Sequence, residues 1–266
     1  SFDNSHMENT FPKIHGLIGT AITILCLMAM SLLAQTANAS AWQASMGAGL
    51  NYAPRYEGAA YNRLRLVPLL DVSYSNGGFF IGIARGIGYN FSESKYIQYG
   101  VRVLVGQARS QDEDPRLYGM GNINYYPEAS LFLNSRLGPL SIFSGVANST
   151  YGTRADLGAS VGFPISQDDR LRLGTTVNWG NTAYNQTYFG VTAAQAAASG
   201  NVLTPYNATE GKKDTVWTAS WRHSFDKEWL GSASLTHKRL EGSARFSPLT
   251  QRTSMLGFSY MLIYRF

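Results

Sequence analysis

The sequence predicts an all-β protein, a transmembrane antiparallel β-barrel of twelve strands with ten as the alternative count. Three observations carry this. The final stretch alternates strictly: Leu256, Phe258, Tyr260, Leu262, Tyr264 and Phe266 interleave with Met255, Gly257, Ser259, Met261, Ile263 and Arg265. Period two is the side-chain period of a strand, and about 9–11 tilted residues cross a bilayer. The charged fraction is 15% with 13% aromatics, against a usual charged share of about 25%. Past Ala39 no apolar run is long enough for a membrane helix.

The chain is predicted to open with a leader. Lys13 precedes an apolar run from Leu17 to Ala34, and Ala37-Asn38-Ala39 has the small-x-small form of a cleavage site. The expected cut lies between Ala39 and Ser40. Residues 1–39 are thus leader, with 1–6 set aside, and 40–266 form one barrel. A stop-transfer charge cluster, which a membrane helix would show, does not follow. Cys26, the lone cysteine, leaves with the leader, so no disulfide framework, cysteine–zinc site or cysteine nucleophile is expected. Loss of Lys13, Asp3 and Glu8 takes the basic and acidic totals from 22 and 17 to 21 and 15, net near +6. The basic residues form no block, which argues against nucleic-acid binding.

Strands are expected at 42–53, 64–75, 79–90, 96–109, 126–137, 140–149, 154–165, 170–181, 184–191, 214–225, 229–239 and 253–266. In the fourth, Ile97, Tyr99, Val101, Val103 and Val105 alternate with Gln98, Gly100, Arg102, Leu104 and Gly106. Ala155 to Ile165, Leu171 to Trp179 and Thr215 to Trp221 alternate likewise, apolar against glycine, hydroxyl, amide or arginine. In the third, Phe79, Ile81 and Ile83 would send Arg85 toward lipid, so a bulge near Gly86 is expected. The segment 184–191 is the weakest strand. Trp42, Tyr52, Tyr74, Tyr89, Trp179, Phe225, Trp229 and Tyr264 fall at strand ends, as an interfacial girdle requires. Asn76-Gly77-Gly78, Leu137-Gly138-Pro139 and Ser166-Gln167-Asp168-Asp169 read as hairpin turns. Long links cover 110–125, 192–213 and 240–252. An even strand count returns both ends of the barrel to the periplasmic side, and in lipid the sheet must close.

Several segments resemble the MipA/OmpV family of outer-membrane proteins, that of the MltA-interacting protein. They are Gly47-Ala48-Gly49-Leu50-Asn51-Tyr52-Ala53-Pro54-Arg55-Tyr56-Glu57-Gly58, then Val67-Pro68 and Asn76-Gly77-Gly78-Phe79-Phe80. Tyr188-Phe189-Gly190-Val191-Thr192 with Gln195-Ala196, Ser199-Gly200 and Tyr206 follows, and Leu240-Glu241-Gly242-Ser243-Ala244 with Ser247-Pro248 and Tyr264-Arg265-Phe266 ends the series. Tyr118 and Arg245 depart from the family pattern. The resemblance implies a non-enzymatic protein of the Gram-negative outer membrane, in contact with its lipid. It implies a scaffold holding a murein lytic transglycosylase and a peptidoglycan synthase; other members are described as adhesins or as affecting drug entry. Tyr260, Leu262, Tyr264 and Phe266 read as the carboxyl-terminal signal for the barrel-assembly machinery. The family carries no active site to transfer, and no cofactor or metal is expected.

Candidate sites are few. His223 and Ser224 are adjacent on one strand, so they point to opposite faces and cannot pair as a hydrolase would need; His223 is expected toward lipid near an interface, and His237 at a strand end. Asp112, Glu113 and Asp114 are consecutive acids, a poor calcium cage, since Ca²⁺ takes about six to eight oxygens. Gly86-Ile87-Gly88 lacks the following helix of a nucleotide loop. The strand phase turns Arg65, Arg102, Arg136, Arg172, Arg222, Lys238 and Arg265 inward, against Asp71, Glu128 and Asp156. Either these charges pair across a filled lumen, or they line a narrow water path favouring anions, a small porin or uptake channel.

Overall fold

The computed structural model describes residues 42–74 and 78–266. Twelve antiparallel strands close into a barrel, each paired with its neighbours in sequence and β1 with β12. They are β1 Trp42–Pro54, β2 Asn62–Tyr74, β3 Phe79–Gly82, β4 Gly86–Asn90, β5 Ile97–Val105, β6 Pro127–Leu137, β7 Leu140–Ser149, β8 Gly152–Pro164, β9 Asp169–Gly180, β10 Gly211–Ser224, β11 Trp229–Leu240 and β12 Ser254–Arg265. Three short α-helices lie in the links among the described residues, α1 Thr182–Phe189, α2 Ala193–Ala198 and α3 Gly242–Phe246, with two 3-10 turns at Gln111–Glu113 and Pro115–Leu117. No helix among the described residues is long and apolar enough to cross a membrane. The expected leader and its cut at Ala39–Ser40 lie outside the described residues, as do Asn76 and Gly77.

The strand count stands at twelve, but two members differ from expectation. Segment 184–191 is not a strand; most of it belongs to α1, which begins because the Asn181 side chain accepts from the Tyr184 N–H and satisfies an orphan donor. Segment 79–90 is not one bulged strand but two short ones, with Ile81 opposite Ile87 and Gly82 opposite Gly86. Gly86 sits at φ +79°, a conformation that suits glycine. Arg85 therefore lies in a turn and reaches inward to Asp71, with Nε–Oδ2 at 2.6 Å, instead of facing lipid. This split brings residues 106–126 to the same end of the barrel as links 55–61, 181–210 and 241–253. Short turns, including 138–139, 165–168 and 225–228, occupy the other end.

The outward face is apolar throughout. Leu256, Phe258, Tyr260 and Leu262 on β12 are all exposed, and so are Leu131 and Leu133 on β6. Facing water this would be a large liability; facing lipid it is what the surface requires. At the short-turn end Trp42 meets Tyr74 edge-on at 5.1 Å and Trp229 meets Tyr264 at 5.1 Å, forming the girdle.

The wall is uneven between β2 and β5. β2 pairs with β1 along all thirteen residues, Trp42–Tyr74 through Pro54–Asn62, but with β3 only at Asp71, Val72 and Ser73. The β3–β4 hairpin is too short to reach the upper half of β2.

Candidate functional site

The long-loop end is closed by the loops themselves. Link 181–210 folds α1 inward, so that Tyr184, Tyr188 and Phe189 are buried beside Tyr126, Leu240 and Met255. A second apolar cluster gathers Tyr56, Leu117, Met120, Val191, Leu203 and Leu249. α2 starts with a reciprocal cap, the Thr192 hydroxyl accepting from the Gln195 N–H and the Gln195 side chain accepting from the Thr192 N–H. Full burial of Phe189, Leu117 and Leu249 is favourable by roughly 1.5–3 kcal/mol each, relative to leaving them in water. Polar tethers fix the plug: the Arg109 guanidinium donates to the Tyr188 carbonyl at 2.7 Å, and Tyr206 Oη donates to the Ser243 carbonyl at 2.8 Å.

Beneath the plug sits a buried charge cluster. A register shift between Lys212 and Asp214 marks a bulge in β10. A bulge re-aims side chains, and here Lys213 and Asp214 are both buried, Asp214 completely. Lys213 Nζ donates to both Glu57 oxygens, at 2.9 and 2.8 Å, and Lys238 donates to Glu57 Oε1. Lys213 also lies 3.0 Å from Asp214 Oδ2, an ion pair without hydrogen-bond alignment. Asn178 Nδ2 donates to Asp214 Oδ1 at 2.6 Å. Burial opposes the Glu57 charge, but the two lysines outweigh it and hold its carboxyl well below the usual range. Burial, then the Tyr126 hydroxyl at 2.8 Å, pushes the Tyr188 phenol up, and burial does the same to Tyr184.

Three cavities follow the barrel axis. Two upper ones, of about 280 and 230 Å³, share Glu57, Gln107 and Lys238 in their walls. A third, of about 470 Å³, holds Arg85, Lys95, Arg136 and Arg172 with no carboxylate in its lining.

The three acids expected inside are paired, with arginines outside the expected basic set. Asp71 binds Arg85 at 2.5 Å, and Arg154 lies 2.7 Å from Glu128 and 3.8 Å from Asp156. Of the seven expected basic residues, Lys238 alone among the described residues has a carboxylate within 4.0 Å. Arg65 lines the larger upper cavity and Arg136 and Arg172 the third. The Arg102 guanidinium stacks 5.3 Å over Phe132. Arg222 sits opposite Arg170 across the β9–β10 ladder and feels Arg172 and Arg265 as well. Arg265 pairs with Ser45 in the β1–β12 ladder. Tyr260, Leu262 and Tyr264 oppose Leu50, Ala48 and Met46 there, and Phe266 packs on Tyr264 at 4.9 Å.

The histidines gain partners that the sequence did not indicate. His223 Nδ1 is 2.9 Å from Asp169 Oδ1, with its ring between Trp221 and Phe225. The serine nearby, Ser166, donates to Asp169 and not to the imidazole. His237 Nε2 is 2.7 Å from Ser254 Oγ, and its ring stacks on Trp217. Neither set has serine, imidazole and carboxylate in the order a hydrolytic triad needs. Of the acidic run, Glu113 binds Arg63 at 2.6 Å and Asp114 accepts from the Arg116 N–H. Glu57, Lys213, Asp214 and Arg154 were not singled out by the sequence reading. The Lys213–Asp214 and Arg154–Asp156 contacts are local, but Glu57 to Lys213, Asp214 to Asn178 and Arg154 to Glu128 span 156, 36 and 26 residues, and no sequence pattern links those.

Residues 46–266 match the family described as MltA-interacting protein MipA. No curated protein matches the sequence. Solved structures of similar shape include the NanC porin, at 8% identity over 84% of this chain and 99% of that one, TM-score 0.43. An outer membrane channel from Pseudomonas putida F1 is similar at 8% identity over 85% and 95%, TM-score 0.45. OprD of Pseudomonas aeruginosa is similar at 7% identity over 85% and 94%, TM-score 0.33.

Proposed function

The chain belongs to the MltA-interacting protein family, and from that premise we propose that this outer-membrane barrel is a non-enzymatic scaffold. It is exported by a leader cut after Ala39 and inserted by the barrel-assembly machinery through its last strand. Its short-turn end, with the basic mouth around Arg172 and Arg222, faces the periplasm and tethers a murein lytic transglycosylase, together with a peptidoglycan synthase. The observation that carries this reading is the plug. Loops with two buried apolar clusters, packed over the Glu57–Lys213 ion pair, fill the opposite end. A barrel closed that way offers a surface more readily than a path. The test is cross-linking of intact cells followed by recovery of the barrel. Retrieval of a lytic transglycosylase or synthase supports the scaffold; consistent absence of both removes it.

A second reading rests on the arginines. Arg102, Arg136, Arg172, Arg222 and Arg265 have no carboxylate within 4.0 Å among the described residues, and unpaired like charges raise local anion concentration. On this reading the barrel is a small anion channel whose plug gates it. Planar-bilayer recording of the refolded chain separates the two: steady anion-selective steps favour the channel, and a silent folded barrel leaves the scaffold.

A further inference from the structure

We infer that the barrel wall is open sideways between β2 and β5, and that the opening takes a single-tailed lipid anion. The head would sit at Arg65 and the tail along the outer face of β4–β6. This inference needs only the membrane-spanning barrel, not the scaffold reading.

The opening follows from pairing. The Leu70 carbonyl accepts from the Ile83 N–H at 2.9 Å, so the polar backbone groups of Leu70 face β3. Backbone groups alternate sides along a strand, so those of Pro68, Leu66 and Leu64 face the same way. No strand meets them: the hairpin has already turned at Ile83–Arg85, and β5 stops at Val105. Leu66 is 75% exposed and Val105 72%.

The opening lies at membrane depth. Leu66 shares a ladder row with Leu50 and Tyr260, and Leu64 with Tyr52 and Phe258, all members of the outward apolar belt. Unpaired backbone at such depth is tolerated only where it lines water or is covered by protein. A partner strand could cover it, but Pro68 has no N–H to give. Proline on a free edge blunts pairing, so the edge is built to stay open.

The chemistry on its two sides differs. Inside, Arg65 lines the upper cavity. Its guanidinium donates to the Arg55 carbonyl at 2.9 Å and has no carboxylate within 4.0 Å among the described residues. Arg63, two residues away, is already taken by Glu113. Outside, a groove of about 410 Å³ is walled by the outward side chains of Phe79, Ile87, Tyr89, Val101, Val103 and Leu131. Ile87 follows Gly86 at the hairpin turn and shares a ladder row with Ile81 and Val72. The groove therefore begins below the opening, seven residues of β2 or roughly 23 Å from the Arg65 row, a span that the tail and the Arg65 side chain cover together. An anionic head and an apolar tail match this pair of surfaces.

The full chain, folded in zwitterionic micelles, is titrated with 11-(dansylamino)undecanoate. Saturable binding is expected. Arg65→Gln is expected to weaken it about tenfold, as loss of a charge-assisted hydrogen bond does, while Arg65→Lys keeps most of it. Heat-shifted gel mobility confirms that each variant is folded. Competition by dodecanoate identifies a fatty-acid head and competition by dodecyl phosphate a phosphate head; either supports the site. Equal competition by uncharged dodecyl maltoside overturns it, as does unchanged affinity in Arg65→Gln. A second measurement needs no variant. The Leu64 and Leu66 amides should exchange with solvent much faster than those of Arg63 and Val67, and slow exchange would show the wall to be closed.

Discussion

Glu57 and Lys213 meet at 2.8 Å across 156 residues of chain, one from the first link and the other from the bulge of β10. Their contact ties the opening hairpin to β10, three strands round the wall from β1, and sits directly under the plug.

Glu57→Gln should therefore loosen the plug. Removing one member of a buried pair costs roughly 3–5 kcal/mol, because the partner charge stays buried. Lys213 keeps Asp214, which sets the expectation at about 3 kcal/mol, the lower end of that range. The check is the urea or heat midpoint of the folded barrel. Lys238→Met, whose lysine is less buried, should cost less.

Acid should act on the same contact. The Glu57 carboxyl titrates lower folded than unfolded, so its contribution is complete above the ordinary glutamate pKa near 4.3 and drains away as pH falls below it. Proteolysis within 181–210 is expected to accelerate below about pH 4 in the wild type. Glu57→Gln should lose much of that pH dependence.

In alkali the order reverses. The Tyr184 and Tyr188 phenols titrate above the unfolded value near 10. Their contribution is intact below that pH and falls as pH rises past it, since the unfolded chain ionises first. Ultraviolet titration at 295 nm should show these two phenols ionising only after the exposed tyrosines, or on unfolding.

The seam offers a steric test. A Cβ on Gly49 would lie 2.2 Å from the Tyr260 carbonyl oxygen, whereas one on Gly257 would find nothing nearer than 3.5 Å. Gly49→Val should cost at least the upper end of the roughly 1–3 kcal/mol typical of overpacking, and it should sharply lower the yield of heat-modifiable barrel. Gly257→Ala should fold normally.

If the plug blocks a path, its removal should open one. Replacing 182–208 with a short glycine-serine link is expected to turn a silent barrel into a conducting one with anion preference. Adding Arg172→Glu and Arg222→Glu should reduce or reverse that preference. Reversal potentials in a salt gradient read both outcomes.

Much of the barrel was legible because lipid on one side and water on the other force period two into strands such as β5, β8, β9 and β12. Helix α1 was not, because Tyr184, Tyr188 and Phe189 are as aromatic as a membrane strand. Its signal was the cap Asn181, and the Thr192-x-x-Gln195 box just beyond the helix marked the start of α2. The split of 79–90 was hidden because the Ile83-Ala84-Arg85 turn lacks turn residues before Gly86. The acids facing the lumen were visible from strand phase, but their arginines were not: Arg85 lies in a turn, and Arg154, the first residue of the expected strand 154–165, precedes the alternation that starts at Ala155. Glu57, in a link, had no phase to read at all.

The β1–β12 ladder joins Ser45 to Arg265, so the last bonds to form unite segments roughly two hundred residues apart. Until β12 arrives, one side of β1 is a row of unmatched donors and acceptors, a template for wrong partners in any aqueous compartment. An escort that shields the first strand until the last is delivered would guard against this.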